Sequence, residues 1–488
     1  MNLITEQSRR AGRRRLVLAL VVAGVVPAAL LGWVATSSAH TAERGDPPAT
    51  TAPPPPALRT ATPLLSARRL PGTVTGQLAT KDLVPGLQQL ADSLPAPTCL
   101  TVQIDGVPVF DARGDQPVMP ASNMKLITAA VALSTLGPDY RYTTTVERGP
   151  DGTLYLVGGG DPVLESQAYL DAATAAAKRG AAGQFLEGPS PVRTPVEQLA
   201  DQVAAAVKNA PAIVADESRY DTERLVPSWP PNTVKDLDAS PLGAIMIDDS
   251  FSSFAPFTVA SDPAAQSASR FQQLLAERGV TIGAARVGTA PAGLPAVATV
   301  QSPPLRDILS ELLVTSDNNT AELLVKEIGH QAGGAGTRAA GLKVVGDTLT
   351  AWGVPTAGLQ LIDGSGLDRG DRLTCHVLLA VLDRMGTTGD LAAALPVAAQ
   401  SGTLAPYFRG SPVAGKLRAK TGTLTGAKAL TGFVPAADGH TVTFAFVYNG
   451  PNARERANDI WGQFADTLAT YPYHPDLGAF SPAPAVHG

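Results

Sequence analysis

Ser122 and Lys125 form an S-x-x-K pair at the head of the apolar run MPASNMKLITAAVALSTLG, residues 119–137. A serine hydroxyl becomes a useful nucleophile only when a neighbouring base takes its proton. Positions i and i+3 share one helix face, so this spacing brings the lysine amine within reach of the hydroxyl. Lysine serves as that base only if desolvation or nearby positive charge lowers its pKa. The apolar residues after Lys125 supply desolvation, and the positive end of the helix lies beside the serine. The plainer reading of Lys125 is a solvated cation at a helix end.

Two more patterns carry chemistry. S-x-N, Ser316 and Asn318, sits in the polar stretch TSDNNT between two helical halves. K-T-G, Lys420, Thr421 and Gly422, is followed by Thr423 on a strand-like segment. Glycine on a strand allows another backbone to approach closely. Taken alone, Ser316 could be a helix cap. Chance gives roughly 0.5 matches each for S-x-x-K and S-x-N and roughly 0.1 for K-T-G, a product on the order of 0.02. Each pattern occurs once, in this order, and each falls on the kind of element its chemistry needs.

Composition narrows the function classes. The chain has 488 residues, 44% hydrophobic and 17% charged, which is enough for more than one apolar core. A net charge of −5 argues against nucleic acid as the main partner. The six histidines (His40, His330, His376, His440, His474, His487) are scattered, and no CxxC or HExxH occurs. No metal or cofactor is expected, and a Ser-His-Asp hydrolase lacks a histidine in any supporting motif. GGGDP at 158–162 lacks G-x-G-x-x-G spacing and reads as a turn. DGSGLD at 363–368 does not fit G-x-S-x-G, which leaves Ser365 structural or a wall of a cleft. Asp248 and Asp249 are expected on the surface.

The N-terminus sets the compartment. Residues 1–15 carry Arg9, Arg10, Arg13, Arg14 and Arg15, and the following segment, 16–36, is uncharged and apolar. About 20 such residues span a bilayer, with the arginines cytoplasmic. A cleaved signal peptide is the competing reading. Both place the body outside the cytoplasm, in the cell envelope. Residues 37–63 form a Pro-rich linker and 476–488 a Pro-rich tail, neither able to pack a core. After export, Cys99 and Cys375 read either as one disulfide or as two buried thiols.

The body must hold the three motifs together. Residues 98–112 alternate about a glycine turn and predict a hairpin, and a helix begins near Ser122. Residues 141–164 read as strands, 194–210 as a helix and 226–237 as loop. A long helix over 302–332 should break at TSDNNT, whose residues are poor helix formers. Helices follow near 338–352 and 372–386. Residues 415–450 read as adjacent strands turning at ADGH, and a helix at 453–471 closes the body. No fixed-period repeat is present.

The segments PASNMKLITAAVALSTLGPDYRYTTTV, LYLVGGGDPVL, SDNNTAELLVKEIG, LIDGSGLDRGDRLT and LRAKTGTLTGAKALTGFV go beyond the three motifs. Together they resemble the D-alanyl-D-alanine carboxypeptidase/endopeptidase group, the class C low-molecular-mass penicillin-binding proteins, over residues 95–470. The resemblance implies an α+β fold: a transpeptidase-like domain with an antiparallel sheet flanked by helices. It also implies a large inserted domain between S-x-x-K and S-x-N, and here 190 residues separate Lys125 from Ser316. The expected division is 64–146 and 291–475 for the penicillin-binding domain and 147–290 for the insertion, which is short for the group.

The implied reaction is hydrolysis of a stem peptide ending in D-Ala-D-Ala through an acyl-enzyme on Ser122. Lys125 is then the proton acceptor and Ser316 the donor to the leaving amine. Asn318 holds the acyl side chain and Lys125, while Lys420 and Thr421 bind the terminal carboxylate beside Gly422. The backbone N–H groups of Ser122 and Thr423 form the oxyanion hole. β-Lactams should acylate Ser122. The expected partners are thus peptidoglycan stem peptides, β-lactams and, through the N-terminal helix, the membrane. The rivals are a secreted serine β-lactamase and a non-catalytic peptidoglycan-binding protein. The first lacks a recognisable deacylating residue; the second has no use for both Ser122 and Lys125.

Overall fold

The computed structural model describes residues 72–178 and 191–473. The apolar segment 16–36, the linker and the tail 476–488 lie outside the described residues. Among the described residues, no helix is long and apolar enough to cross a membrane.

The described residues open with α1 (Gly72–Ala79), α2 (Leu83–Asp92), the hairpin β1 (Thr98–Ile104) and β2 (Val107–Ala112), then α3 (Met124–Leu136). Next are β3 (Thr143–Arg148), β4 (Leu154–Val157), β5 (Leu164–Glu165), α4 (Gln167–Lys178), β6 (Thr194–Pro195), α5 (Val196–Ala206) and β7 (Asn209–Asp216). Then follow β8 (Phe251–Phe254), β9 (Phe257–Val259), α6 (Pro263–Glu277), β10 (Thr281–Val287) and β11 (Ala296–Gln301). Four helices succeed them: α7 (Leu305–Thr315), α8 (Asn318–Ala332), α9 (Arg338–Ala351) and α10 (Cys375–Met385). A short α11 (Asp390–Ala393), strands β12 (Arg418–Leu424), β13 (Ala427–Pro435) and β14 (Thr441–Asn449), and α12 (Ala457–Leu468) complete the path.

The first sheet has the order β12-β13-β14-β1-β2, antiparallel throughout. Its central strands are buried on both faces, and side-chain alternation decides which residue meets which layer. Phe444, Phe446 and Leu430 turn towards α2 and α12, where Leu83, Leu87, Trp461 and Phe464 wait. Phe464 meets Phe444 edge-on at 5.0 Å between centroids. Each such ring, fully buried, contributes roughly 2 kcal/mol. Ala445, Val447 and Ala429 face the other way, onto α3 and α10, and Cys99 of β1 shares that side. Cys375 opens α10 on the same layer, and the two cysteines form a disulfide. Of the two readings open from sequence, the bond is the one realised.

The second sheet, β10-β7-β4-β3-β11, is mixed: β7 pairs parallel with β4 and β10, while β3 pairs antiparallel with β4 and β11. The parallel pairs need crossover connections, which α5 and α6 help to supply. Leu199, Val203, Phe271 and Leu275 of those helices cover Val146, Leu156 and Ile213 in a core of their own. This sheet runs from Thr143 to Gln301 and therefore starts just before and ends just after residues 147–290.

Two local expectations change. Asp248 is wholly buried and Asp249 half-buried, so the pair is not a surface feature. Asp248, Asp249 and Ser250 all adopt positive φ, which turns the carboxylates inward. Asp248 accepts hydrogen bonds from the Ser166 amide and hydroxyl and pairs with Arg270, and Asp249 accepts from Tyr169 and Asn319. Gly158, Gly159 and Gly160 continue irregularly from β4, and the chain turns only at Pro162 and Val163.

Candidate active site

Ser122 lies in a single 3-10 turn, Ala121–Asn123, that leads straight into α3. Ala121 holds a left-handed φ of 48°, a strained state that persists only where its surroundings impose it. They do so visibly. Asn449, at the end of β14, donates to the Met119 carbonyl at 3.0 Å and accepts from its amide at 2.7 Å. Asn123 reaches Thr431 on β13 at 3.3 Å. Gly422 is needed here for packing. A Cβ on it would stand 2.8 Å from the Pro120 carbonyl oxygen, so strand β12 can press against the serine turn only with glycine at this place.

Lys125 is fully buried, and its Nζ contacts Ser122 Oγ at 3.2 Å, Asn318 Oδ1 at 2.6 Å and the Ser365 carbonyl at 2.7 Å. Three acceptors match the three protons of an ammonium. Burial pulls its pKa down to about 8; the carboxylates of Asp363, Asp317, Glu322 and Asp371 oppose that shift. The solvated reading of this lysine is thereby excluded. The contact to Ser122 reverses on deprotonation: a neutral amine accepts the serine proton instead of donating.

The expected break in the long helix occurs at Ser316 and Asp317, between α7 and α8. Asp317 caps α8 by accepting from the Thr320 amide. Ser316, left-handed at φ 67°, ends α7 and presents its Oγ to Lys420 Nζ at 2.8 Å. Asn318 opens α8, and its Nδ2 donates to the Asp238 carbonyl at 2.7 Å. The three motifs therefore meet, Lys125 reaching Asn318 and Lys420 reaching Ser316.

β12 is an outer strand of the first sheet, bridged beyond its partner β13 only by Val397 against Arg418 among the described residues. Its outer edge can accept an extended peptide. Thr421 Oγ1 donates to Thr403 Oγ1 at 2.8 Å, and Thr423 Oγ1 accepts from Lys428 Nζ at 2.7 Å. A cleft of about 570 Å³ joins these groups: Ser122, Ser316, Asn318, Thr421 and Thr423 line it, with Pro230, Asn232, Asp236 and Asp238 as a further wall. That wall is the proline-broken loop, fastened by Trp229 Nε1 donating to Asp363 at 2.8 Å. His376 and His440 pair with Asp111 and Asp105, and neither lines the cleft.

Several residues of the site escape sequence reasoning. Glu322, Asp363 and Asp371 are buried beneath Lys125. Burial raises Glu322 to about 8 and Asp371 to about 10, and the negative charge of Asp363 adds to both shifts. Lys428 stands behind Thr423 and over the Trp461 ring at 4.5 Å; burial, then Arg454, lowers it to about 8. None of these lies in a motif of fixed spacing. The one available signal was the density of acids in DGSGLDRGD, following a glutamate four residues after Asn318.

The sequence matches the D-Ala-D-Ala carboxypeptidase 3 (S13) family over residues 98–258 and 249–471. It is 33% identical over 433 residues to a D-alanyl-D-alanine carboxypeptidase of Actinomadura sp., covering 71% of this chain and 76% of that one. Carboxypeptidase DacB of Mycolicibacterium smegmatis is 32% identical over 456 residues, covering 90% and 93%. The fold is similar to that of penicillin binding protein 4 (dacB) from Haemophilus influenzae, with a TM-score of 0.63 at 21% identity over 78% of this chain and 98% of that one. With its motif residues gathered about one cleft and the match running through both sheets, the chain belongs to the D-Ala-D-Ala carboxypeptidase 3 (S13) family.

Proposed function

We propose that this protein is a serine carboxypeptidase that removes the terminal D-Ala from peptidoglycan stem peptides, with D,D-endopeptidase action in the same cleft. The observation that carries the assignment is the buried Lys125 amine 3.2 Å from Ser122 Oγ, with Asn318 fixing it from the other side. Ser122 Oγ attacks the carbonyl of the penultimate D-Ala while Lys125 Nζ takes its proton. The backbone N–H groups of Ser122 and Thr423 receive the developing oxyanion, aimed in advance at charge that appears only in the transition state. As the tetrahedral intermediate collapses, Ser316 passes a proton to the leaving amine, and Lys125 resupplies it through the cleft. Lys420 and Thr421, beside Gly422, bind the substrate carboxylate, and Asn318 receives the acyl side chain. Water then hydrolyses the ester.

A β-lactam mimics the dipeptide but leaves its departing group tethered, so the ester on Ser122 persists. The Haemophilus influenzae protein of similar fold has been solved in complex with a β-lactam. We further assign residues 147–290 as an inserted domain between 64–146 and 291–475, supported by the separate core of the second sheet. The body faces the exterior of the cell, held by segment 16–36. The disulfide supports that placement, since such bonds persist in oxidising compartments.

The test is incubation of the full chain with a fluorescent penicillin, alongside Ser122→Ala and Lys125→Ala. Stable label on the wild type alone is expected. Rapid turnover without label would instead make the protein a β-lactamase, and no reaction from folded protein would make it a binding module.

A further inference from the structure

Of the three acceptors around Lys125, only the Ser365 carbonyl comes from an irregular stretch of backbone. Such a carbonyl points where its peptide plane is held, and the planes around it are held from beneath. Glu322 Oε1 accepts from two successive amides, Gly364 N at 3.0 Å and Ser365 N at 2.8 Å. Asp363 Oδ1 accepts from Gly366 N at 2.6 Å, and a trans peptide directs that N–H opposite to the Ser365 carbonyl. Thr128 Oγ1 donates to the Gly364 carbonyl at 2.7 Å. Glu322 is buried and does not line the cleft, yet its carboxyl is kept away from water at evident cost.

Glu322 stands four residues after Asn318 on α8, so the two share one helix face. Asn318 holds Lys125 directly; Glu322 holds the turn that holds it. We infer that Glu322 is a positioning residue for acylation, acting through the Gly364 and Ser365 amides to keep the Ser365 carbonyl on Lys125 Nζ. This rests on the assignment of Ser122 as nucleophile and Lys125 as its base. The titratable groups facing Lys125 are Asp317, which caps α8, Glu322 on α8, and Asp363 and Asp371 from the segment that carries the Ser365 turn. Removing the carbonyl from Nζ withdraws a hydrogen bond from the ammonium form and so favours the neutral amine.

The experiment compares Glu322→Asp, Glu322→Ala and Glu322→Gln with the wild type. It measures the second-order rate constant for penicillin acylation across pH 6–10. The time course of the labelled fraction gives this constant whatever share of the protein folds. Glu322→Asp keeps the carboxyl but withdraws the acceptor by one methylene. A plateau about 100-fold lower is expected, the size of effect that a misplacement near 1 Å can have. Its acid limb should also move to lower pH, and Glu322→Ala should behave alike. Glu322→Gln keeps Oε1 as acceptor and should hold its plateau within a few-fold of wild type. Wild-type acylation by Glu322→Asp, a slow variant with an unmoved acid limb, or a glutamine variant as slow as the aspartate one would each overturn the inference. Failure of the wild type itself to label at Ser122 would instead remove the assignment beneath it.

Discussion

At Lys125, burial and charge act in opposite directions, and burial wins. The carboxylates of Asp363, Asp317, Glu322 and Asp371 favour the ammonium, yet its pKa falls from an ordinary 10.5 to about 8. The neutral, proton-accepting form therefore grows as pH rises through about 8. Acylation by a β-lactam should climb over that range and level off above it; a rate constant already flat between pH 6 and 8 would exclude Lys125 as the base. The sign for stability follows from the same shift. The unfolded chain binds this proton more tightly between about pH 8 and 10.5, so the lysine costs folding about 3 kcal/mol below pH 8. That cost fades as pH rises towards 10.5. The fold thus keeps a destabilising lysine in its interior, one turn after the strained Ala121.

At the scale of elements, the serine turn is set by what presses on it. Gly366 has a φ of +77°, and a Cβ there would lie 1.9 Å from the Ala121 carbonyl oxygen. Gly366→Ala must push the turn aside or distort its own backbone. We expect a loss of roughly 1–3 kcal/mol in stability and acylation slower by about 100-fold, read by thermal melting and penicillin labelling together. Gly422→Ala meets the Pro120 carbonyl oxygen at 2.8 Å and should follow in the same direction with a smaller effect. A Gly366→Ala protein that labels at the wild-type rate would show that the turn is not held from this side.

For the whole molecule, the ends of the described chain close the fold. β1 and β2 come from its beginning and β12, β13 and β14 from its end, and β1 pairs with β14 along seven positions, Thr98 to Ile104. The disulfide ties that union to α10 across a sequence separation of 276. Chain-entropy reasoning for a loop this long gives on the order of 5 kcal/mol. The Cys99→Ser, Cys375→Ser double variant should melt several degrees lower yet still label at Ser122, because neither cysteine touches the cleft. An unchanged melting temperature would refute the stabilising role. A loop that leaves β7 of the second sheet carries Trp229 and Asp238 to the site, which makes that loop a wall of the cleft as well as a connection.

Much of this was legible from residues close in sequence. Ser122 and Lys125 meet because three positions along a helix bring side chains together, and TSDNNT breaks its helix because Asp317 caps the next one. The adjacent strands that turn at ADGH, β13 and β14, could be read directly, as could the hairpin at 98–112. What the sequence left open involves partners far apart along the chain. Lys125 meets the Ser365 carbonyl across 240 residues, Lys420 meets Ser316 across 104, and Cys99 finds Cys375 across 276. The acids Glu322, Asp363 and Asp371 look like ordinary solvated residues in sequence, as did Asp248 and Asp249. Whether a carboxyl is exposed or buried depends on which layers close over it, and no local spacing encodes that. Residue types and local spacing fix the chemical groups and their immediate geometry; packing between distant segments sets their solvation, and with it which of them can exchange a proton.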